Sequence, residues 1–211
     1  MRRAIKIGLA VVAVMTVLPI VLIMMLLVGW PHFTPLQLAR REMPLPNHGS
    51  LIIDGGARGR SEHGFSQRAG YRPPGSAGIE WFGEVSDGVE PQVYEAGPLL
   101  VVIDLPAAQL FIRTVEENWK SLALIFPDDL GPFPISYYAE RNGLTTEEVS
   151  RINELGGKGK YPTTYIQSFD PETRDLQCSY QLDNKHSWPL HLRLSADGTR
   201  LAVIEIGASS P

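Results

Sequence analysis

The chain has 211 residues, with 19 basic and 23 acidic side chains, a formal net charge of −4 and one cysteine. A single cysteine excludes a disulfide within the chain, and the acidic balance argues against nucleic acid as a partner. About 180 residues follow the first thirty, enough for one domain or for one domain with a small satellite.

Residues 7–30 are a run of 24 residues without a charged side chain. A helix needs about 20 apolar residues to cross a bilayer, so the run predicts an uncleaved membrane-spanning helix. Arg2, Arg3 and Lys6 precede it, and no Lys or Arg follows before Arg40. This bias predicts a cytoplasmic N-terminus and export of the rest of the chain.

Trp30, His32 and Phe33 suit the outer interface of a membrane. We therefore expect a single-pass protein of the inner (plasma) membrane, in contact with the lipid bilayer through residues 7–30. Its C-terminal domain would then be periplasmic or extracellular. Without the three early basic residues, this exported part has 16 basic and 23 acidic side chains, a formal charge of −7.

The segment 31–48 contains four prolines and predicts a stalk before a domain over residues 49–211. Gly49 to Gly78 is rich in glycine and arginine, and its apolar residues do not recur with a period. It predicts a long loop. Loops longer than about 12–15 residues tend to be functional or disordered.

The predicted loop carries the only basic cluster of an acidic domain, formed by Arg58, Arg60, Arg68 and Arg72. Arginine suits carboxylate or phosphate partners, so this cluster is a candidate binding site. His63, which follows Glu62, could act in acid–base chemistry or coordinate an ion. A solvated loop without function explains the same residues.

From residue 79 onward, apolar and β-branched runs alternate with Gly, Pro and Asp, which is typical of strands. The predicted strands are Ile79–Val85, Gln92–Tyr94, Leu99–Leu105, Gln109–Val115, Ser121–Phe126, Thr164–Phe169, Leu176–Leu182, Leu190–Leu194 and Leu201–Ile206. The last four pair as two hairpins, which turn at residues 170–173 and 196–199. The continuous run from Leu99 predicts a central strand.

Two helices are predicted between these strands, over Ile135–Asn142 and Thr145–Leu155. Thr145 can cap the second helix and form a capping box with Glu148, three residues on. Gly143 can end the first helix in the left-handed conformation. The predicted fold class is α+β, in which one antiparallel sheet follows the membrane helix and the helix pair packs on that sheet.

The helix pair resembles the LysM module, a β-α-α-β unit that binds N-acetylglucosamine polymers such as peptidoglycan. The resemblance covers residues 122–168 and lies in Ala139, Gly143-Leu144-Thr145, Glu147-Glu148-Val149, Ile152-Asn153, Leu155 and Tyr161-Pro162. It implies a glycan site near Asp128, Asp129 and Tyr161. Two segments depart from the family, since Pro127-Asp128-Asp129-Leu130 replaces its Gly-Asp-Thr and Thr163-Thr164 replaces its Gly-Gln. A helical hairpin that covers one face of a sheet is the simpler interpretation.

No motif for a nucleophilic serine, a zinc-dependent protease or a phosphate-binding loop occurs, so we expect no catalytic residue, cofactor or metal. Cys178 lies in a predicted strand and is expected to be a buried thiol. The favoured function is binding of another envelope protein without catalysis, as an immunity or inhibitor protein or an accessory subunit. Peptidoglycan binding and a hydrolase that uses the His63 loop are the alternatives.

Overall fold

The computed structural model describes residues 40–45, 49–61, 64–126, 133–156, 163–181 and 186–207, and only the backbone of residues 56–61, 64, 65, 155 and 156. The described residues all belong to the unit Ala39–Pro211. They form three four-stranded antiparallel sheets and one helix pair. Each sheet is a meander of strands that follow one another in the chain.

Sheet A contains β1 to β4, in that order across the sheet. Its strands are β1 Arg40–Leu45, β2 Gly49–Ser61, β3 Gly64–Arg72 and β4 Glu80–Ser86. β1 falls in the predicted stalk, where its Pro44 lies on an edge strand that tolerates proline. β2 and β3 form one long hairpin from the segment that we expected to be a loop, so that expectation was wrong over most of this segment.

Sheet B contains β5 Gln92–Ala96, β6 Leu99–Asp104, β7 Gln109–Arg113 and β8 Trp119–Ala123. It is the middle layer of the molecule. Every residue of β6 is buried, which confirms the predicted central strand. Val101 faces the helices and the third sheet, while Val102 faces sheet A. A strand covered on both faces accounts for the unbroken apolar run in the sequence.

The helix pair follows sheet B and consists of α1 Ile135–Asn142 and α2 Thr146–Gly156. The predicted helices are thus confirmed. Thr145 and Glu148 form the expected capping box, since the Thr145 backbone N–H donates to Glu148 Oε2 (2.8 Å) and the Glu148 N–H donates to Thr145 Oγ1 (3.2 Å). Gly143 ends α1 at φ 65°.

Sheet C contains β9 Thr163–Asp170, β10 Asp175–Gln181, β11 Ser187–Leu194 and β12 Leu201–Ile206. The strands pair in the order β12-β11-β10-β9, which confirms both predicted hairpins. Its apolar face joins the helix pair and one face of sheet B in the larger buried cluster. A smaller cluster around Phe111 lies between sheets A and B.

The predicted fold class was wrong. The described residues form twelve strands in three sheets and only one helix pair, so this is a β-rich fold of three sheets rather than an α+β fold on one sheet. The sequence did not indicate the additional sheet, because the Gly- and Arg-rich segment that forms the β2–β3 hairpin has no long pattern of apolar residues. Its strands are stabilised by pairing with each other and by packing on sheet B. Such tertiary contacts largely decide whether a segment forms a strand.

The single-pass inner-membrane placement is also corrected. Among the residues that the structure describes, no helix is long and apolar enough to cross a membrane. Residues 7–30, to which the membrane helix was assigned, lie outside the described residues, as do Trp30, His32 and Phe33.

Candidate functional site

The long β2–β3 hairpin positions the arginines that the sequence singled out. Arg68 and Arg72 lie on β3, and the backbones of Arg58 and Arg60 lie on β2. His63 lies outside the described residues. Two members of the predicted cluster are therefore described with their side chains.

A row of alternating charge crosses sheet A at Arg68. Arg40 pairs with Asp54, Asp54 with Arg68, and Arg68 with Glu84, so the four side chains share one face. Arg40 Nη2 donates to Asp54 Oδ2 at 2.9 Å. We call this surface the outer face of sheet A, because Leu51 and Ile53 of β2 point the other way, into the cluster with sheet B.

Trp81 lies beside this row, and the Arg68 guanidinium stands 4.1 Å from its ring centroid. Arg40 approaches the same ring at 5.9 Å. The indole lies across Gly70, where an added Cβ would come within 2.7 Å of Trp81 Cε3. Glycine at position 70 therefore leaves the room that the indole occupies on the sheet.

Arg72 completes the outer face, and its Nη1 donates to Glu42 Oε1 (2.6 Å) and Oε2 (2.7 Å). A hydrogen bond from Ser50, together with the Arg72 guanidinium, lowers the pKa of Glu42 below its ordinary value. Arg40 and Arg72 thus have carboxylate partners. Arg68 is exposed and, within the described part of the chain, contacts the Trp81 ring but no carboxylate.

The residues of the glycan site that the LysM resemblance implies, Asp128, Asp129 and Tyr161, lie outside the described residues. The strands that flank the helix pair, β8 and β9, belong to different sheets. The LysM resemblance and the glycan site that it implies stay predictions, as does a hydrolase that uses His63.

Cys178 is 1% exposed, which confirms the expected buried thiol, and burial raises its pKa. His191 Nε2 lies 3.1 Å from Asp175 Oδ2 on the neighbouring strand. The Arg193 guanidinium, with His191 in support, lowers the pKa of Asp175 to about 2. Among the described residues no group of three or more His, Cys, Asp or Glu side chains could hold a metal ion.

No known protein family, curated protein or solved structure matches this chain.

The sequence pointed to Arg68 and Arg72 but not to the other residues of the outer face, among them Arg40 and Trp81. Arg40 lies in the segment that was predicted to be a stalk, and Trp81 lies in the predicted strand Ile79–Val85. The available signal was the spacing of Arg68, Gly70 and Arg72, which puts all three on one face of a strand. It went unused because the segment was interpreted as a loop.

Proposed function

We propose that this protein acts by binding another protein through the outer face of sheet A, without catalysis. An immunity or inhibitor protein, or an accessory subunit of a larger assembly, has this mode of action. The observation that carries the proposal is the exposed Arg68 guanidinium stacked 4.1 Å from the Trp81 ring, with no carboxylate partner among the described residues.

Tryptophan and arginine are the residues most enriched among those that dominate interface energies. The stack orients the planar guanidinium of Arg68 before a partner arrives, so less conformational entropy is lost when it binds. A guanidinium held in this way can donate two parallel hydrogen bonds to a carboxylate. Trp81 supplies a large apolar surface next to it.

The partner that fits is a protein with a carboxylate opposite Arg68 and an apolar or aromatic side chain opposite Trp81. The chain's formal charge of −4 opposes long-range attraction to an acidic partner. Short-range contacts at the stack would therefore supply the affinity, and substitutions there should act mainly on the dissociation rate.

The test is affinity purification of the full-length protein from its native cells, with quantitative comparison of wild type, Arg68→Ala and Trp81→Ala. Arg151→Ala is the matched control, because Arg151 is an exposed arginine on α2, away from sheet A. Candidate partners are then purified and their Kd values measured. We expect one partner to bind roughly 30-fold or more weakly to each outer-face variant, as loss of a dominant interface residue predicts.

Arg151→Ala should leave that Kd unchanged. If every captured protein binds both outer-face variants as tightly as wild type, the proposal is wrong. Insoluble peptidoglycan serves as a second bait. If peptidoglycan retains the wild type and all three variants equally, and no protein partner distinguishes them, the helix-pair segment would be the binding site instead.

A further inference from the structure

A cavity of about 400 Å³ lies beside β4, an edge strand of sheet A. Five consecutive residues of β4, 82–86, line it. Sheet B contributes alternate residues of its strands, Gln109 and Phe111 from β7 and Ser121 and Ala123 from β8. Consecutive residues form the edge of a strand, whereas alternate residues share one face of a sheet. One wall of the cavity is therefore the edge of β4, and its floor belongs to the face of sheet B that packs on sheet A.

The edge of β4 presents backbone hydrogen-bonding groups to this cavity. Within the described part of the chain, β4 pairs with β3 alone. The Ser86 N–H donates to Asp104 Oδ2 of sheet B (2.7 Å), so it points away from β3. In an antiparallel ladder, residues two apart direct their N–H and C=O groups to the same side, and the register with β3 does not shift between residues 83 and 86. The N–H and C=O of Glu84 therefore also point away from β3.

Side chains leave the edge open at Glu84. Because Glu84 lies opposite Arg68, its side chain is on the outer face of sheet A, where it accepts a hydrogen bond from the Ser66 hydroxyl. Asp104 covers the edge at Ser86, from which it accepts the N–H and the hydroxyl (3.0 Å). An unpaired strand edge is a template for pairing with another chain. The part of this edge that is open to pairing is therefore centred on Glu84.

The rest of the lining indicates which side chains an added strand can place in the cavity. Ser121 and Ala123 on the floor are small, so they leave room above sheet B. The charges in the lining balance, since Asp104 is already hydrogen-bonded and Arg141 is its counterpart. Arg141 Nη1 donates to the Tyr137 hydroxyl at 3.1 Å. A lining without excess charge favours uncharged side chains, which gain free energy by burying apolar surface.

We infer that this cavity binds an extended segment of a partner polypeptide, which adds a fifth strand to sheet A beside β4. The segment pairs with the N–H and C=O of Glu84 and points apolar side chains onto Ser121 and Ala123. In strand addition, backbone hydrogen bonds supply affinity and alternate side chains supply specificity. The edge of β4 is distinct from the outer face of the proposed function, and binding at either does not require the other.

Selection of random nonapeptides displayed on phage, with the full-length protein as bait, tests the inference. The enriched peptides are synthesised, and their Kd values are measured. We expect apolar residues at alternate positions of these peptides. Ser121→Phe, which fills the cavity from an exposed position on β8, should abolish their binding. Ser168→Phe is the matched control and should leave the Kd unchanged, because Ser168 is exposed on β9 and does not line the cavity.

Glu84→Pro tests the backbone pairing. Proline removes the N–H of residue 84 without breaking the ladder with β3, because an edge strand tolerates proline where the N–H points away from the sheet. The matched variant is Glu84→Val, which also loses the carboxylate but keeps the N–H. We expect Glu84→Pro to bind the peptides about tenfold more weakly than Glu84→Val, because the peptide carbonyl loses its donor.

N-methylation of the peptides gives a second measurement of the pairing, which holds even if Glu84→Pro does not fold. Methylation of the nitrogen that donates to the Glu84 carbonyl should weaken binding about tenfold, while methylation of the nitrogens on either side should not. The inference is wrong if no peptide is enriched, if Ser121→Phe binds the peptides as tightly as the wild type, or if neither the proline nor any N-methyl group weakens binding. The outer face is tested separately, through Arg68→Ala and Trp81→Ala.

Discussion

At the residue scale, Glu148 connects the start of α2 to a distant edge strand. Its Oε2 completes the capping box with Thr145, and its Oε1 accepts a hydrogen bond from the Val203 backbone N–H at 3.0 Å. Val203 lies on β12, at the edge of sheet C. One carboxylate therefore satisfies a donor of the helix start and a donor of a sheet edge that would otherwise require water or a new partner.

Burial raises the pKa of Glu148, but the backbone hydrogen bonds from Thr145 and Val203, with Arg200 nearby, outweigh it and leave the pKa below its ordinary value of 4.5. A lowered pKa means that the ionised carboxylate stabilises the folded state. That stability is fully present above pH 4.5 and is lost as the pH falls below it towards the folded-state pKa.

We expect Glu148→Gln to lower the free energy of unfolding by about 1–2 kcal/mol at pH 7, because charge-assisted hydrogen bonds are replaced by weaker ones. The difference from wild type should shrink as the pH falls below 4.5. Urea unfolding at pH 7, 5 and 3.5 measures both effects. Glu147→Gln, one residue earlier and exposed, should change stability by less than about 0.5 kcal/mol at every pH. A pH-independent difference for Glu148→Gln would contradict the argument.

At the element scale, the turn between the helices depends on Gly143. Its backbone lies at φ 65°, its N–H donates to α1 carbonyls, and its carbonyl accepts from the Leu201 N–H at 2.7 Å. A Cβ at this position would lie 2.9 Å from Leu122 Cδ2. Both the backbone conformation and the packing against β8 therefore favour glycine.

Gly97 separates these two effects. It has the same φ of 65°, in the turn between β5 and β6, but a Cβ there would meet no atom within 4 Å. Gly97→Ala should therefore cost about 1 kcal/mol, the left-handed penalty alone. Gly143→Ala should cost about 2–4 kcal/mol, because crowding against Leu122 adds to that penalty. Chemical denaturation of both variants gives the comparison, and equal losses would show that Leu122 moves aside freely.

The β2–β3 hairpin was not predicted from the sequence. Leu51, Ile52 and Ile53 form a short buried apolar run, but glycines and arginines dominate the residues that follow. The register shifts between Asp54 and Arg58, so the alternation is interrupted in the middle of β2. A bulge of this kind removes the period-2 pattern on which a strand prediction relies.

At the scale of the whole molecule, the three sheets are held by clusters of very different size. Sheet C and the helix pair share an extensive buried cluster with sheet B. Sheet A is attached to sheet B by a smaller one that includes Leu51, Val102 and Phe111. Polar links between those two sheets include hydrogen bonds to Glu80 Oε2 from Trp119 Nε1 (3.1 Å) and Arg113 Nε (3.2 Å). The Ser86 backbone N–H also donates to Asp104 Oδ2 (2.7 Å).

This difference predicts that sheet A opens without the rest of the molecule. In native-state hydrogen exchange, amides of β2 and β3 should exchange through a sub-global opening of lower free energy than amides of β10 and β11. Phe111→Ala should lower protection in sheet A by about 3–5 kcal/mol, because it removes the largest side chain of the smaller cluster.

Leu192→Ala is the matched core variant, since Leu192 is fully buried in the larger cluster. It should lower protection in sheet C and, through global unfolding, wherever exchange requires the whole molecule to open. A uniform loss of protection across all three sheets in both variants would show instead that the molecule unfolds as one cooperative unit.

The sequence alone determined the elements whose stability is local. The helix pair, the Gly143 terminus, the capping box and both hairpins of sheet C follow from residues within a few positions of each other. Their turn and cap residues form hydrogen bonds with their own neighbours, so the sequence pattern predicts these elements without knowledge of the fold. The buried central strand was also predictable, because it is an unbroken run of apolar residues.

Only the tertiary structure decided the number of sheets, the order of the layers and the outer face of sheet A. The stack of Arg68 on Trp81 joins β3 to β4, and the row that it extends includes Arg40 from β1. A cavity of about 400 Å³ is likewise lined by residues of β4, of sheet B and of α1. Contacts between residues far apart in the chain depend on strand register and on packing, and local composition predicts neither.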